Sequence, residues 1–259
     1  MSYTEEAFLG AGDLQIDTYD ADGNKTGELD VGNAIQFTIN APSLEKKELV
    51  GMRRANYAQI IKSVITKTEQ ELKFTLTDIN KKNLALAMFG ADSAYTQTAA
   101  NNTATPENAT AHLDKWTKLS ACRNLDPETP PVVKDETDTT TYVEDTDYEV
   151  DYLTGRIKAL STGSISDGDT LHVESTWLAI TDGYKVAAND VNKFECFIRL
   201  IGEDQANNRA VEVIVHKAQI EPSGDINWLT EDFAQLEFSG KILATSDGTW
   251  DFYYLKQVS

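Results

Sequence analysis

Apolar and polar side chains alternate with a period of two along much of the chain, the pattern of strands with one buried face. Leu14 and Ile16 alternate with Asp13, Gln15 and Asp17 over residues 12–19, and Asp20-Ala21-Asp22-Gly23-Asn24 then turns. Ile35, Phe37 and Ile39 mark a second strand over 34–39. Residues 41–54 are polar and charged and predict an exposed loop. Residues 57–68 are rich in Ile and Val, and in 71–78 Leu72, Phe74 and Leu76 alternate with Lys73, Thr75 and Thr77. Joined through Thr68-Glu69-Gln70, these two runs predict a hairpin.

The period then changes. Asp78 is placed to cap a helix over 79–89 that Gly90 ends. Leu84, Ala85, Met88 and Phe89 recur at helical spacing and are expected to cover one face of the sheet, while Lys81 stands where a capping box needs Glu or Gln. Residues 91–120, full of Ala, Thr and Asn, predict a long loop with an irregular strand near Trp116. Residues 122–151 hold ten acids and two bases, with Pro127, Pro130 and Pro131, and mark a boundary or an excursion. Strand-like runs at 142–152, 156–160 and 170–177 follow, separated by turns at Leu153-Thr154-Gly155 and Ser166-Asp167-Gly168-Asp169. Alternation resumes in Phe194, Cys196, Ile198 and Leu200, and in Val211, Val213 and Val215 beyond an Ala206-Asn207-Asn208 turn. Further strands are expected at 233–238, 242–244 and 250–255. The fold class expected is mainly β, with one short packed helix and long loops.

Composition narrows the partners. The 259 residues are 41% hydrophobic, ample for a core, and no run approaches 18 apolar residues, so no membrane helix is expected. Met1-Ser2-Tyr3-Thr4-Glu5-Glu6 lacks the basic flank and apolar stretch of a secretory signal. Net charge is -19, of which residues 120–259 carry -15. Such a chain should not grip a phosphate backbone, where affinity comes from clustered Lys and Arg. The basic residues cluster at Lys46, Lys47, Arg53 and Arg54, either a solvated loop or a contact to a neighbour's carboxylates that would set orientation more than affinity. Cys122 and Cys196 form no framework or metal cluster. Reduced thiols are expected, and spacing leaves a single bridge open.

Catalytic constellations are missing. His112, His172 and His216 share no motif, and there is no His-Glu-x-x-His, Cys-x-x-Cys or Gly-x-Ser-x-Gly. The 20–24 turn begins like a calcium loop but has Lys25 at the sixth position and Val31 at the twelfth, so a polar turn is the better reading. Gly10-Ala11-Gly12 precedes a strand and is no dinucleotide fingerprint. Asp147 and Glu149, two apart on an expected strand, have the spacing of any wet face as well as of a glycosidase pair. No enzyme, cofactor or metal site is expected.

The order of these elements resembles the major tail tube proteins of long, non-contractile-tailed bacteriophages. The residues that carry the resemblance are Thr18-Tyr19-Asp20-Ala21-Asp22-Gly23, the charged loop through Arg53-Arg54, the strand at Leu72 to Leu76, and Asn83-Leu84-Ala85-Leu86-Ala87. Later stretches are Asp147-Tyr148-Glu149-Val150-Asp151, Thr154-Gly155-Arg156-Ile157, Asp167-Gly168-Asp169, Phe197 to Gly202 with Asn207-Asn208-Arg209, and Val211 onward to Pro222-Ser223-Gly224-Asp225. The resemblance implies hexameric rings stacked into a tube in the virion, synthesised and assembled in the host cytoplasm. It implies a lumen that holds a tape measure protein and then passes double-stranded DNA without sequence preference, ends that meet tail tip and terminator proteins, and no membrane binding by the subunit. By position it places the ring-stacking loop at about 42–57, with Lys46, Lys47, Arg53 and Arg54, and the outer helix at 79–89. It also implies a β-sandwich or barrel core, its first part over 1–121 and its C-terminal strands over 185–259, with an inserted or extended β region over 122–184. Two other readings share the β-rich pattern. One is a tube of a phage-related secretion or injection apparatus with protein cargo. The other is a carbohydrate-binding β-sandwich with Trp177, Trp228 or Trp250 as platform, although aromatic residues serve cores and interfaces equally.

Overall fold

A computed structural model describes residues 8–20, 22–120 and 123–255. The chain is mainly β, with one short helix, and divides into two compact units, Met1–Asp92 with Val186–Ser259 and the intervening Ser93–Lys185. The second unit therefore starts at Ser93, not at 122: the Ala-, Thr- and Asn-rich stretch expected as loop already holds its strands.

In chain order the first unit begins with β1 (Gly10–Thr18), β2 (Leu29–Asp30), β3 (Ala34–Ile39), β4 (Ser43–Val50), β5 (Ile60–Glu69), β6 (Glu71–Leu76) and α1 (Lys81–Ala87). The chain crosses into the second unit along β7 (Ala91–Gln97), which pairs with a strand given below as β16. Within that unit follow β8 (Ala100–Asn101), β9 (Glu107–Thr110), β10 (Trp116–Lys118), β11 (Val132–Asp135), β12 (Tyr148–Asp151), β13 (Arg156–Ala159), β14 (Thr170–Glu174), β15 (Thr176–Trp177) and the returning β16 (Ile180–Ala187). The first unit is completed by β17 (Phe194–Asp204), β18 (Arg209–Pro222), β19 (Leu236–Ile242) and β20 (Trp250–Leu255).

The main sheet runs β2-β1-β17-β18-β19-β6-β3, with antiparallel pairing throughout. The fourteen-residue β18 is long enough to pair β20 along Ala210 to Val215 and β19 along Ala218 to Pro222. Alternation explains its core: Leu14, Ile16, Leu72, Phe74, Ile198 and Phe238 all point to one buried cluster. A bulge between Cys196 and Ile198 breaks the period, and Phe197 is buried elsewhere, under Lys25, whose Nζ lies 3.4 Å from the ring centroid. Cys196 is free and fully buried, and Cys122 lies outside the described residues. The strand expected at 233–238 begins only at Leu236 and absorbs Ile242.

The helix is shorter than its spacing suggested. Asn80, not Asp78, is the N-cap, its side chain accepting from the Lys82 and Asn83 amides. Asp78 instead accepts from the Asn33 amide, tying the helix approach to the start of β3. Met88 is the C-cap and Phe89 sits at φ 46, in the left-handed region, so both lie past the helix end. Leu84 and Ala85 are buried, Met88 and Phe89 are half-buried, and Phe89 stacks on Phe194. Leu86 and Ala87 make the core contact. Buried Asn83 donates to the carbonyls of Val31 and Asp78 at 2.8 Å each and pins α1 in place.

The second unit has its own core, which includes Leu119, Leu125, Val133, Ile157, Leu171 and Val173. Two three-stranded sheets, β10-β13-β12 and β11-β14-β9, provide it. Buried Tyr148 donates to the Pro131 carbonyl at 2.7 Å, and burial pushes its hydroxyl pKa up to about 12. The run expected at 142–152 is a strand only over β12, because residues 143–147 form a turn closed on the Asp147 carboxylate.

Candidate assembly interface

The most unusual part of the surface is the ribbon made by β4 and β5. No hairpin joins β5 to β6. β3 pairs β6 inside the main sheet, and the same two lines of chain continue outward as β4 paired to β5. At the base, the Asn40 amide donates to the Glu71 carbonyl, and the Gln70 side chain donates to the Asn40 carbonyl at 3.0 Å. With eight residues in β4, the ribbon reaches roughly 25 Å at about 3.3 Å per residue. The segment expected as a loop over 41–54 is therefore a strand and a tip, with Lys46 and Lys47 on β4.

Every residue of β4 is exposed, and so is every residue of β5 except Glu69, which is half-buried. Large apolar side chains face water from both faces of the ribbon: Leu49, Met52, Tyr57, Ile60, Ile61 and Ile65. A two-stranded ribbon is marginal in water by itself, and so many large exposed apolar side chains on one projecting element point to an interaction site. The tip is nonetheless ordered. The Gly51 amide donates to the Gln59 carbonyl at 2.7 Å, the Ala58 amide to the Gly51 carbonyl at 2.9 Å, and the Asn56 amide to the Arg53 carbonyl at 3.0 Å. A Cβ at Gly51 would lie 2.3 Å from the Asn56 carbonyl oxygen, so this position requires glycine. Arg53 and Arg54 are displayed on this turn.

Charge separates the ribbon from the rest of the molecule. Over 43–69, Lys46, Lys47, Arg53, Arg54, Lys62 and Lys67 outnumber Glu45, Glu48 and Glu69, a net +3 in a chain of -19, which leaves -22 elsewhere. Lys67 is satisfied internally by Glu69 at 2.7 Å. Lys46, Lys47, Arg53 and Arg54 make no ion pair among the described residues.

A second exposed apolar element lies between β18 and β19. Ile226 packs against the first core and holds the loop down, while Trp228 is exposed and Leu229 and Phe233 are 93% and 91% exposed. Trp228 is thus neither core nor stacked. Trp177 is half-buried against the second core and donates to the Thr98 carbonyl, and Trp250 donates to Gln70 at 3.0 Å.

The three aspartates whose pKa values are lowered most, Asp204, Asp151 and Asp135, hold turns. Asp204 is fully buried and accepts from Tyr254, Leu9, Asn207 and Ala206, which hold its carboxyl well below the usual range. Asp151 is held low by the Thr154 hydroxyl and by Arg156, locking the β12–β13 turn. Asp135 is held low by the Thr140 amide and the Thr139 and Thr137 hydroxyls. Asp147 is bonded to the Val143 and Ser164 amides, whereas Glu149 lies on β12 paired with Lys158, so the two carboxylates do not share a site. His172 and His216 each pair with one aspartate, Asp138 and Asp251, and no group of three metal-ligating side chains exists among the described residues. Asp20 closes its own turn through the Asp22 and Asn24 amides, as a polar turn does.

A cavity of about 300 Å³ beside α1 is lined mainly by Ile16, Leu29, Val31, Leu86 and Phe194. A more open one of about 730 Å³ in the second unit has Tyr95, Arg123, Tyr184 and Lys185. Lys82 and Asp92, which also line the first, are ion-paired at 2.7 Å.

A family model described as Protein of unknown function UCP028589 matches residues 7–250. The chain belongs to that family. The matched range includes the residues of the ribbon, of both cores and of the β18–β19 loop. No curated protein matches the chain.

Proposed function

We propose that the protein is a structural subunit that works by assembling with copies of itself into stacked rings, a tube of the kind found in long non-contractile phage tails. The observation that carries this reading is the β4–β5 ribbon, apolar on both faces and net +3, projecting from a body of net -22. A sheet that continues outward into an unpaired ribbon is completed by another chain. A contact between two different patches on identical subunits closes into rings or propagates as a filament. The acidic remainder suits a conduit, since double-stranded DNA slides past acidic walls and is retained by clustered Lys and Arg. In this reading the lumen first holds a tape measure protein, and tip and terminator proteins close the ends of the tube.

Electron microscopy and sedimentation of the purified protein test the reading. Rings or tubes are expected, and replacing residues 44–68 by a two-residue Asn-Gly turn is expected to leave a folded monomer. Wild-type protein that stays strictly monomeric at high concentration, with tail assembly partners added, refutes it.

A further inference from the structure

The ribbon needs a receptor, and charge decides among the candidates. Two ribbons laid against each other would bring +3 onto +3, which disfavours a symmetric ribbon-to-ribbon contact. The loop over 223–235 has the complementary character. It carries Asp225, Glu231 and Asp232 with no Lys or Arg, and none of these carboxylates makes an ion pair among the described residues. It also presents Leu229 and Phe233, the two most exposed of the large hydrophobic side chains. Its shape is held by local bonds, from the Leu229 amide to Asn227 at 3.2 Å and from the Asp232 amide to Thr230 at 3.1 Å, and by the Ile226 anchor. A pre-shaped acidic and apolar loop thus stands free on the same body that projects a basic and apolar ribbon.

We infer that the tip of the β4–β5 ribbon of one copy docks on the 223–235 loop of a second copy, setting Arg53 and Arg54 against Glu231 and Asp232 around a contact between Met52, Leu229 and Phe233. This rests on the self-assembly reading and names its partner surface. Apolar side chains on the two sides supply the burial, and the paired charges select the orientation. The contact is heterologous, so each subunit offers one ribbon and one loop, and the chain of contacts extends through the assembly.

Two measurements test it. Unlabelled protein with benzoylphenylalanine in place of Met52 is mixed with wild-type protein labelled with nitrogen-15, allowed to assemble and irradiated. The loop lies within a single tryptic peptide, 218–241, bounded by Lys217 and Lys241. Cross-links to the heavy form of that peptide are expected, and cross-links mainly to other peptides, or within one light chain, overturn the inference. In the second measurement Arg53→Glu with Arg54→Glu, and separately Glu231→Arg with Asp232→Arg, are each expected to raise the concentration needed for assembly at least tenfold without changing the urea midpoint. All four changes in one chain are expected to restore assembly. Assembly by wild type with no effect of either pair overturns the docking site and leaves the tube reading standing. No assembly by wild type under any condition overturns both. Partition of the wild type onto anionic phosphatidylserine vesicles through the ribbon, with loop variants unaffected, shows a membrane receptor and overturns the docking site.

Discussion

Truncating Phe238 probes whether the main sheet is held by one interlocked core. Phe238 on β19 lies directly opposite Phe74 on β6, each side chain is 1% exposed, and the rings stack with centroids 4.7 Å apart and planes 14° from parallel. Removing the ring in Phe238→Ala forfeits a transfer term of about 1.5–3 kcal/mol. The cavity left behind brings typical Phe-to-Ala losses to about 3–5 kcal/mol. Here β19 is paired by β18 on one side and β6 on the other, so the cavity walls cannot close by moving the strand, and the upper half of that range is expected. A loss of about 4 kcal/mol changes the folding equilibrium roughly a thousandfold, a large part of a domain's total of about 5–15 kcal/mol. Hydrogen exchange read by mass spectrometry across a urea series separates peptides of the two units. Peptides around Phe74 and Ile198 should lose protection at lower urea, and those around Val133 and Leu171 should not, because the two cores share no side chain. A double-mutant cycle of Phe74→Leu and Phe238→Leu should give a coupling of about 0.5–1.5 kcal/mol for the stacked pair. A loss under about 1.5 kcal/mol, or an equal loss in the second unit, would refute this account of the core.

Asn80→Ala should cost about 1 kcal/mol through the two orphaned amides of the first helical turn, whereas Asp78→Ala should leave the helix cap intact; exchange of the Lys82 and Asn83 amides reads the difference. Because Asp204, Asp151 and Asp135 have folded pKa values below the ordinary carboxylate range, their contribution is complete above about pH 4 and is lost as pH falls through the folded values. Acidification also relieves the repulsion of a chain at -19, so the comparison is between variants: Asp204→Asn should flatten the fall of the urea midpoint below pH 4 in first-unit peptides, and an unchanged slope would count against it. Burial pushes the Cys196 thiol pKa well up, so it should stay inert to thiol reagents at pH 8 until urea unfolds the first unit, and prompt modification of the native protein would contradict its placement.

The amino-acid order alone determined the mainly β class and the strands that bury one face. Over β1, β6 and β18 a two-residue period reports a buried side, and Asn208, Gly155 and Gly168 mark turns that need positive φ. In β3 and β17 a bulge interrupts the period, and Ile35 is left exposed. The amino-acid order also located the basic cluster and the lack of a catalytic motif. Tertiary structure decided the rest. In the β4–β5 ribbon both faces meet water, so apolar and charged residues mix without a consistent side, and a strand there looks like a charged loop. The start of the second unit at Ser93 was hidden because β7 is polar and weakly alternating and finds its partner only in the distant β16, while β8 and β9 are short and are ordered by β15 and β14. The helix limits turned on whether Asp78 or Asn80 reached the free amides, which depends on Asp78 being drawn away to Asn33. Local pattern reports which face a strand buries, whereas pairing partners and the faces left bare depend on contacts between residues distant in sequence.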